Sequence, residues 1–202
     1  MDESYENNRA RLVGALAGRP VLSHETRGER FYRLPLAVRR KSGAVDEINV
    51  LVRQSQLEAL ELREEDRLCA EGELRSFNNR RGEGAKLVIS LLARRLSFSA
   101  EEDANEIVLV GALCKPPTLR RTPLGREVCD LMLAVNRRTG RSDYLPCICW
   151  GQRAREAALW DTGARLRLIG RIQSRRYLKV TEEGTLEKTA FEVSASELEL
   201  LG

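Results

Sequence analysis

The chain's 202 residues, 42% of them hydrophobic, suffice for one large domain or for two small ones with cores of their own. A net charge of +4, set against 32% charged residues, is too mild to mark a nucleic-acid binder by itself. No apolar run is long enough to cross a bilayer, and the polar amino end MDESYENNRA lacks a signal-peptide core, so neither secretion nor membrane spanning is expected.

The kind of base says more than the number. Among 34 basic residues only Lys41, Lys86, Lys115, Lys179 and Lys188 are lysines. Arginine is the better fork for phosphate and the better stacker on flat rings, although codon bias alone would give the same excess. The five cysteines, Cys69, Cys114, Cys129, Cys147 and Cys149, are an odd set without a secretory signal. Reduced thiols in a cytoplasmic protein are the expectation. One histidine, His24, and a CxC pair do not make four ligands at metal spacing, so neither a metal nor a cofactor is expected.

The chain is written twice. "NRARLVGALAGRP" begins at Asn8 and "NEIVLVGALCKPP" at Asn105, 97 residues later. The same offset relates Gly14 to Gly111, Pro20 to Pro117, Gly28 to Gly125, Gly43 to Gly140 and Asp46 to Asp143. Gly72 then matches Gly170 one residue further on, and the copies diverge after Ser76 and Ser174. Two repeats of about a hundred residues mean two tandem domains rather than a solenoid. We place them at residues 1–98 and 99–202, joined through the short acidic stretch SFSAEEDA at 97–104.

In chain order, the second copy opens on "EIVLVGALC", a strand in which Val108 and Val110 alternate with Ile107, Leu109 and Gly111. "EVCDLMLAV" alternates again, with Leu131, Leu133 and Val135 on one face. RTGRS is a turn. DYLPCICW follows as a third strand, apolar on both faces: Tyr144, Pro146, Ile148 and Trp150 share one, and Leu145, Cys147 and Cys149 the other. GQRAREAALW has helical composition. "RLRLIGRIQSRRYLKV" is a long fourth strand with a bulge expected at Gly170, and "EKTAFEVSASELELL" is a fifth. The first copy repeats this order, with residues 54–62 as its helix. Three strands, a short helix and two strands is the order of the OB-fold, so the expected fold is all-β: two tandem five-stranded barrels.

"NEIVLVGALCKPPTLRRTPLGREVCDLMLAVNR", "DYLPCICWGQRAREAA" and "GARLRLIGRIQSRRY" resemble the bacterial single-stranded DNA-binding protein family over residues 105–201. Residues 8–98 resemble it more weakly, through the repeat. The resemblance implies sequence-tolerant binding of single-stranded DNA, with four OB units acting together. A chain with two such units would reach four as a homodimer. It also implies base stacking at three motif positions, which fall on Tyr144, Trp150 and Tyr177. Tyr144, Ile148 and Trp150 would then face the DNA, and Leu145, Cys147 and Cys149 the core. A buried Trp at a subunit contact is the alternative for Trp150.

Bases cluster where this reading needs them. Arg120 and Arg121 lie in the segment expected as a loop between strands one and two. Arg137, Arg138 and Arg141 lie between strands two and three, and Arg171, Arg175, Arg176 and Lys179 line strand four. The first copy departs from the pattern. Glu47, Arg53 and Asn79 stand where the repeat puts Tyr144, Trp150 and Tyr177, with Phe77 as a nearby substitute. Arg39, Arg40, Lys41, Arg80 and Arg81 remain at its loops. The chain ends in SELELLG, without the acidic recruiting tip of the family's replicative members, which favours an accessory binder. A protein-interaction adaptor of primosome type and an RNA binder on the same fold stay open. Catalysis is not expected, because the acids are dispersed rather than clustered for a metal-assisted hydrolysis.

Overall fold

A computed structural model of the chain describes residues 7–78, 87–181 and 184–202, apart from the side chains of Lys179 and Thr181. The first copy supplies β1 (Asn8–Leu16), β2 (Val21–Thr26), β3 (Glu29–Arg39), β4 (Val45–Arg53), α1 (Gln54–Glu58), β5 (Arg67–Asn78) and β6 (Leu87–Phe98). The second supplies β7 (Ala104–Leu113), β8 (Thr118–Arg121), β9 (Glu127–Asn136), β10 (Ser142–Trp150), α2 (Gln152–Ala157), β11 (Arg165–Thr181) and β12 (Gly184–Leu201). Asn79, Arg80 and Arg81 lie outside the described residues.

The chain divides into two compact units. One holds Arg9–Arg75 and Ser90–Glu106; the other holds Ile107–Gly202 together with Ser76–Asn78 and Leu87–Ile89, the outer ends of β5 and β6. Within the second copy the strands run β7-β11-β12-β10-β9-β8, and β7 pairs back onto β9 to close the barrel. Within the first they run β2-β3-β4-β6-β5-β1, and β3 pairs back onto β1. In each barrel one pairing is parallel, β4 with β6 and β10 with β12. This is the OB-fold order twice over.

Alternation fixes what is inside. On β9, Leu131, Leu133 and Val135 are buried while Asp130, Met132 and Ala134 are half-buried. On β10, Leu145, Cys147 and Cys149 are buried. Burial pushes the Cys147 thiol up, and it pushes the Cys149 thiol up to about 12, so both behave as small apolar core residues.

Two glycines per barrel permit the closure. A Cβ at Gly111 would run into the carbonyl oxygen of Ala134, and one at Gly14 into that of Ala37. Gly170 and Gly72 meet Ser194 and Leu92 in the same way. The backbones approach too closely for any side chain, and this is why the repeat keeps these four glycines. The expected irregularity is present: the β11–β12 register shifts between Ile169 and Gly170. The extra residue is Ser196 on β12, whose hydroxyl donates to the Ile169 carbonyl at 3.1 Å.

Two expectations need correction. Arg120 and Arg121 are not in a loop: Thr118–Arg121 is a short strand on β9, with Arg120 opposite Val128 and Arg121 opposite Glu127. The helices are shorter than their composition suggests, because α2 stops at Ala157 and α1 at Glu58. The short 97–104 stretch is tied down by hydrogen bonds and ion pairs. Glu101 takes the Arg11 guanidinium, and Asp103 accepts from the Arg39 backbone N–H at 2.6 Å and pairs with Arg67 at 2.7 Å.

Gly111→Ala is expected to destabilise the chain by about 1–3 kcal/mol through overpacking against the β9 backbone. Gly202→Ala, where a Cβ meets nothing, should be silent. Urea unfolding followed by circular dichroism measures both.

Candidate nucleic-acid interface

Cross-strand partners share a sheet face, so the registers decide which side chains can act together. On β10, Tyr144 lies opposite Ala134, Pro146 opposite Met132, Ile148 opposite Asp130 and Trp150 opposite Val128. Arg120 on β8 lies opposite Val128 and joins the same face. The parallel pairing of Ile148 with Ser194 carries that face onto β12. From β12 it passes to β11, where Arg171 lies opposite Ser194, Gln173 opposite Glu192, Arg175 opposite Ala190 and Tyr177 opposite Lys188. Tyr144, Trp150 and Tyr177 therefore share one continuous face with Arg120, Arg171 and Arg175. Tyr144 and Trp150 are six residues apart on one strand, a span of about 20 Å.

The registers also separate residues that the sequence groups together. Arg121 and Arg176 alternate with Arg120 and Arg175 and lie on the opposite face, where they pair with Glu127 and Glu187. Ile148 shares the aromatic face but is only 3% exposed, so it supports the sheet rather than opening onto solvent. Arg138 and Arg141 are exposed in the turn between β9 and β10. The Lys179 side chain lies outside the described residues.

Arg137 has a structural task. Its Nε donates to Asp143 Oδ2 at 2.7 Å and its second amino group donates to Asp143 Oδ1. The Asp143 side chain has 0% exposure. Arg40 holds Asp46 in the same two-pronged way in the first copy, at 2.5 and 2.6 Å. A buried carboxylate needs such a partner, and removing one member of a buried pair typically costs about 3–5 kcal/mol. Arg137 and Arg40 are thus anchors of the fold. Arg39 is exposed and anchored through its backbone to Asp103.

Two of the three aromatics lie under a guanidinium. The Arg126 guanidinium lies 4.9 Å over the Trp150 ring, and Arg175 lies 5.8 Å over Tyr177. Arg175 is held in turn by the buried Glu192 at 3.4 Å, which also accepts from Gln173 at 3.1 Å. Arg120 pairs with Asp130 at 2.5 Å; that bond, with Glu192 adding to it, raises the arginine's pKa. At the helix end, Arg155 and then Arg121 hold the Glu127 carboxyl below its ordinary value. The acids of the face are taken up by its bases, so the face presents cation edges, the exposed Tyr144 ring and the half-buried Trp150 and Tyr177 rings. Among the described residues there is no cluster of His, Cys, Asp and Glu that fits a metal ion.

The comparisons with known proteins agree with this geometry. The profile of the Single-strand binding protein family matches residues 104–201. A single-stranded DNA-binding protein of Clostridium tetani is 36% identical over 104 residues, covering 48% of this chain and 70% of the relative. Single-stranded DNA-binding protein B of Bacillus subtilis is 39% identical over 87 residues, covering 40% of this chain and 75% of the relative. The chain belongs to the single-strand binding protein family. The crystal structure of the wild-type single-stranded DNA binding protein from Thermus aquaticus superimposes with a TM-score of 0.77 at 25% identity, covering 96% of this chain and 93% of that one. The chain spans between about half and three quarters of the length of the curated relatives it matches.

Within this family member the first copy's counterpart face is built differently. Arg53, at the position of Trp150, lies 5.7 Å over the Phe31 ring and pairs with Glu29 at 2.9 Å. His24 stacks flat on Phe31 at 4.9 Å. Phe31 is buried, so this ring is enclosed by its own neighbours. Arg126, Glu192 and Phe31 were not singled out from the sequence, and His24 was weighed only as a metal ligand. Arg126 follows the turn residue Gly125, and only the register places its head over a ring. Glu192 is one of many acids in an alternating strand, and nothing in its neighbours marks it as buried.

Arg126→Ala should uncover the Trp150 ring while costing about 0.5–1 kcal/mol of stability. In a Trp160→Phe background, acrylamide quenching of the remaining tryptophan is expected to rise. Unchanged quenching would mean that Arg126 does not cover the ring.

Proposed function

We propose that this chain binds single-stranded DNA with little sequence preference, stacking bases on Tyr144, Trp150 and Tyr177 and meeting phosphates with the arginines around them. It would guard exposed strands in replication, recombination or repair. The observation that carries the reading is the shared face: three aromatics and Arg120, Arg171 and Arg175 brought together from three strands by register alone. Every base has a π-face, so a stacking platform tolerates any sequence. Arg138 and Arg141, exposed beside Tyr144, would add contacts to the backbone of the strand. The family's named members support the same ligand. The work is binding, and no catalytic step is assigned to any residue. The first copy, with Glu47 and Arg53 in place of two aromatics, would contribute charge and assembly more than stacking.

Trp150→Ala should weaken binding to oligo-dT by about 1–3 kcal/mol, and binding to the native chain should quench tryptophan fluorescence. Raising salt should weaken binding steeply, whereas an apolar protein–protein contact on the same face would survive it. A folded Trp150→Ala variant with native affinity would remove the stacking role.

Two OB units per chain also support a homodimer with four, and the edges of open strands are surfaces that favour such pairing. Light scattering in moderate salt should give twice 22.8 kDa; the mass of one chain would refute the dimer.

A further inference from the structure

Phe77 belongs to the first copy by sequence, but the compact unit that contains it is the one built from Ile107–Gly202. The reason is visible at Ser76. Its backbone N–H donates to the buried Asp143 Oδ1 at 2.7 Å, and its hydroxyl accepts from the Tyr144 backbone N–H at 2.8 Å. Its carbonyl accepts from the Arg137 guanidinium at 3.4 Å. One residue of β5 is thus bonded to the Arg137–Asp143 pair and to the backbone of a stacking residue.

Consecutive Cα atoms are about 3.8 Å apart, so Phe77 starts one such step from the residue that grips Tyr144. Both rings are exposed, Phe77 by 39% and Tyr144 by 51%. Both rings thus stand open to solvent on neighbouring anchored backbone, where a flat apolar ligand could meet them. Burial of Asp143 makes the anchor rigid, because its charge cannot be released to water without losing its partners.

We propose that Phe77 and Tyr144 together form one stacking step for a nucleobase, with Ser76 and the Arg137–Asp143 pair as its positioning residues. The proposal rests on the single-stranded DNA reading above. It assigns Phe77 to the platform of Tyr144 rather than to a groove of the first copy. The first copy then supplies an aromatic to the platform that the second copy alone would leave incomplete.

The test is oligo-dT binding by the full chain carrying Phe77→Ala, Tyr144→Ala, both changes, or Trp150→Ala, each checked for native folding by circular dichroism. Phe77→Ala and Tyr144→Ala are each expected to weaken binding about 5- to 100-fold. The double variant should lose clearly less than the product of the two, because the two rings serve one base. Phe77→Trp should restore binding and add a fluorescence signal that oligo-dT quenches, while Phe77→Leu should behave like Phe77→Ala. If Phe77→Ala binds as the native chain does while Tyr144→Ala and Trp150→Ala are weakened, the composite step is wrong and the DNA reading stands. Losses that multiply fully would also overturn it. If none of the aromatic variants loses affinity, the DNA reading fails and this proposal fails with it.

Discussion

Everything on the interface hangs on the register of β10 against β9. Side chains alternate with period two, so a slip of one residue would send Tyr144 and Trp150 into the barrel and bring Leu145, Cys147 and Cys149 out. The buried Asp143 opposes such a slip. It sits one residue before Tyr144, at the start of the strand, and Arg137 and the Ser76 N–H meet its charge there. A slipped strand would strand a carboxylate in the core without those partners, a penalty no apolar repacking would offset. The same ion pair that holds the strand therefore also decides which way the rings point.

The two copies separate scaffold from function. Both keep the arginine–aspartate pair, the two close-contact glycines and the parallel strand pairing. Only the second keeps aromatics at the Tyr144 and Trp150 positions, where the first has Glu47 and Arg53. Where Trp150 stands under Arg126, the first copy has inverted the arrangement, with Arg53 over an enclosed Phe31. The cation–ring contact survives, but in the first copy its ring is buried. Divergence of this kind leaves the barrel intact because the substituted positions lie on the outer face.

Much of the fold was legible in the sequence because its signals are local and periodic. Alternation in "EVCDLMLAV" and "DYLPCICW" gave the strands and their inner faces. Gly170 marked the register shift, and the 97-residue offset marked the duplication. What stayed hidden depends on cross-strand neighbours. TLRR has four exposed residues and no buried face, so no pattern distinguishes it from a loop. Ile148 alternates with the exposed rings yet is covered by packing that spacing does not report. Arg137 reads as one more loop arginine until Asp143 is found beneath it, and Ser76 gives no hint of a partner 67 residues away.

The β11–β12 hairpin outgrows its barrel. Pairing of β11 with β7 ends at Gly170 and the parallel contact of β12 with β10 is confined to Val193 and Ser194, but β11 and β12 go on pairing with each other out to Thr181 and Gly184. Beyond the barrel the ribbon is two strands wide, and Leu178, Val180 and Leu186 stand exposed on it. Two-stranded ribbons are marginal on their own in water. Amide hydrogens should therefore exchange on a gradient along a single strand, slow at Leu166 and Leu168 and fast past Tyr177. Tyr177 rides on a compliant arm while Tyr144 and Trp150 sit on a stiff wall.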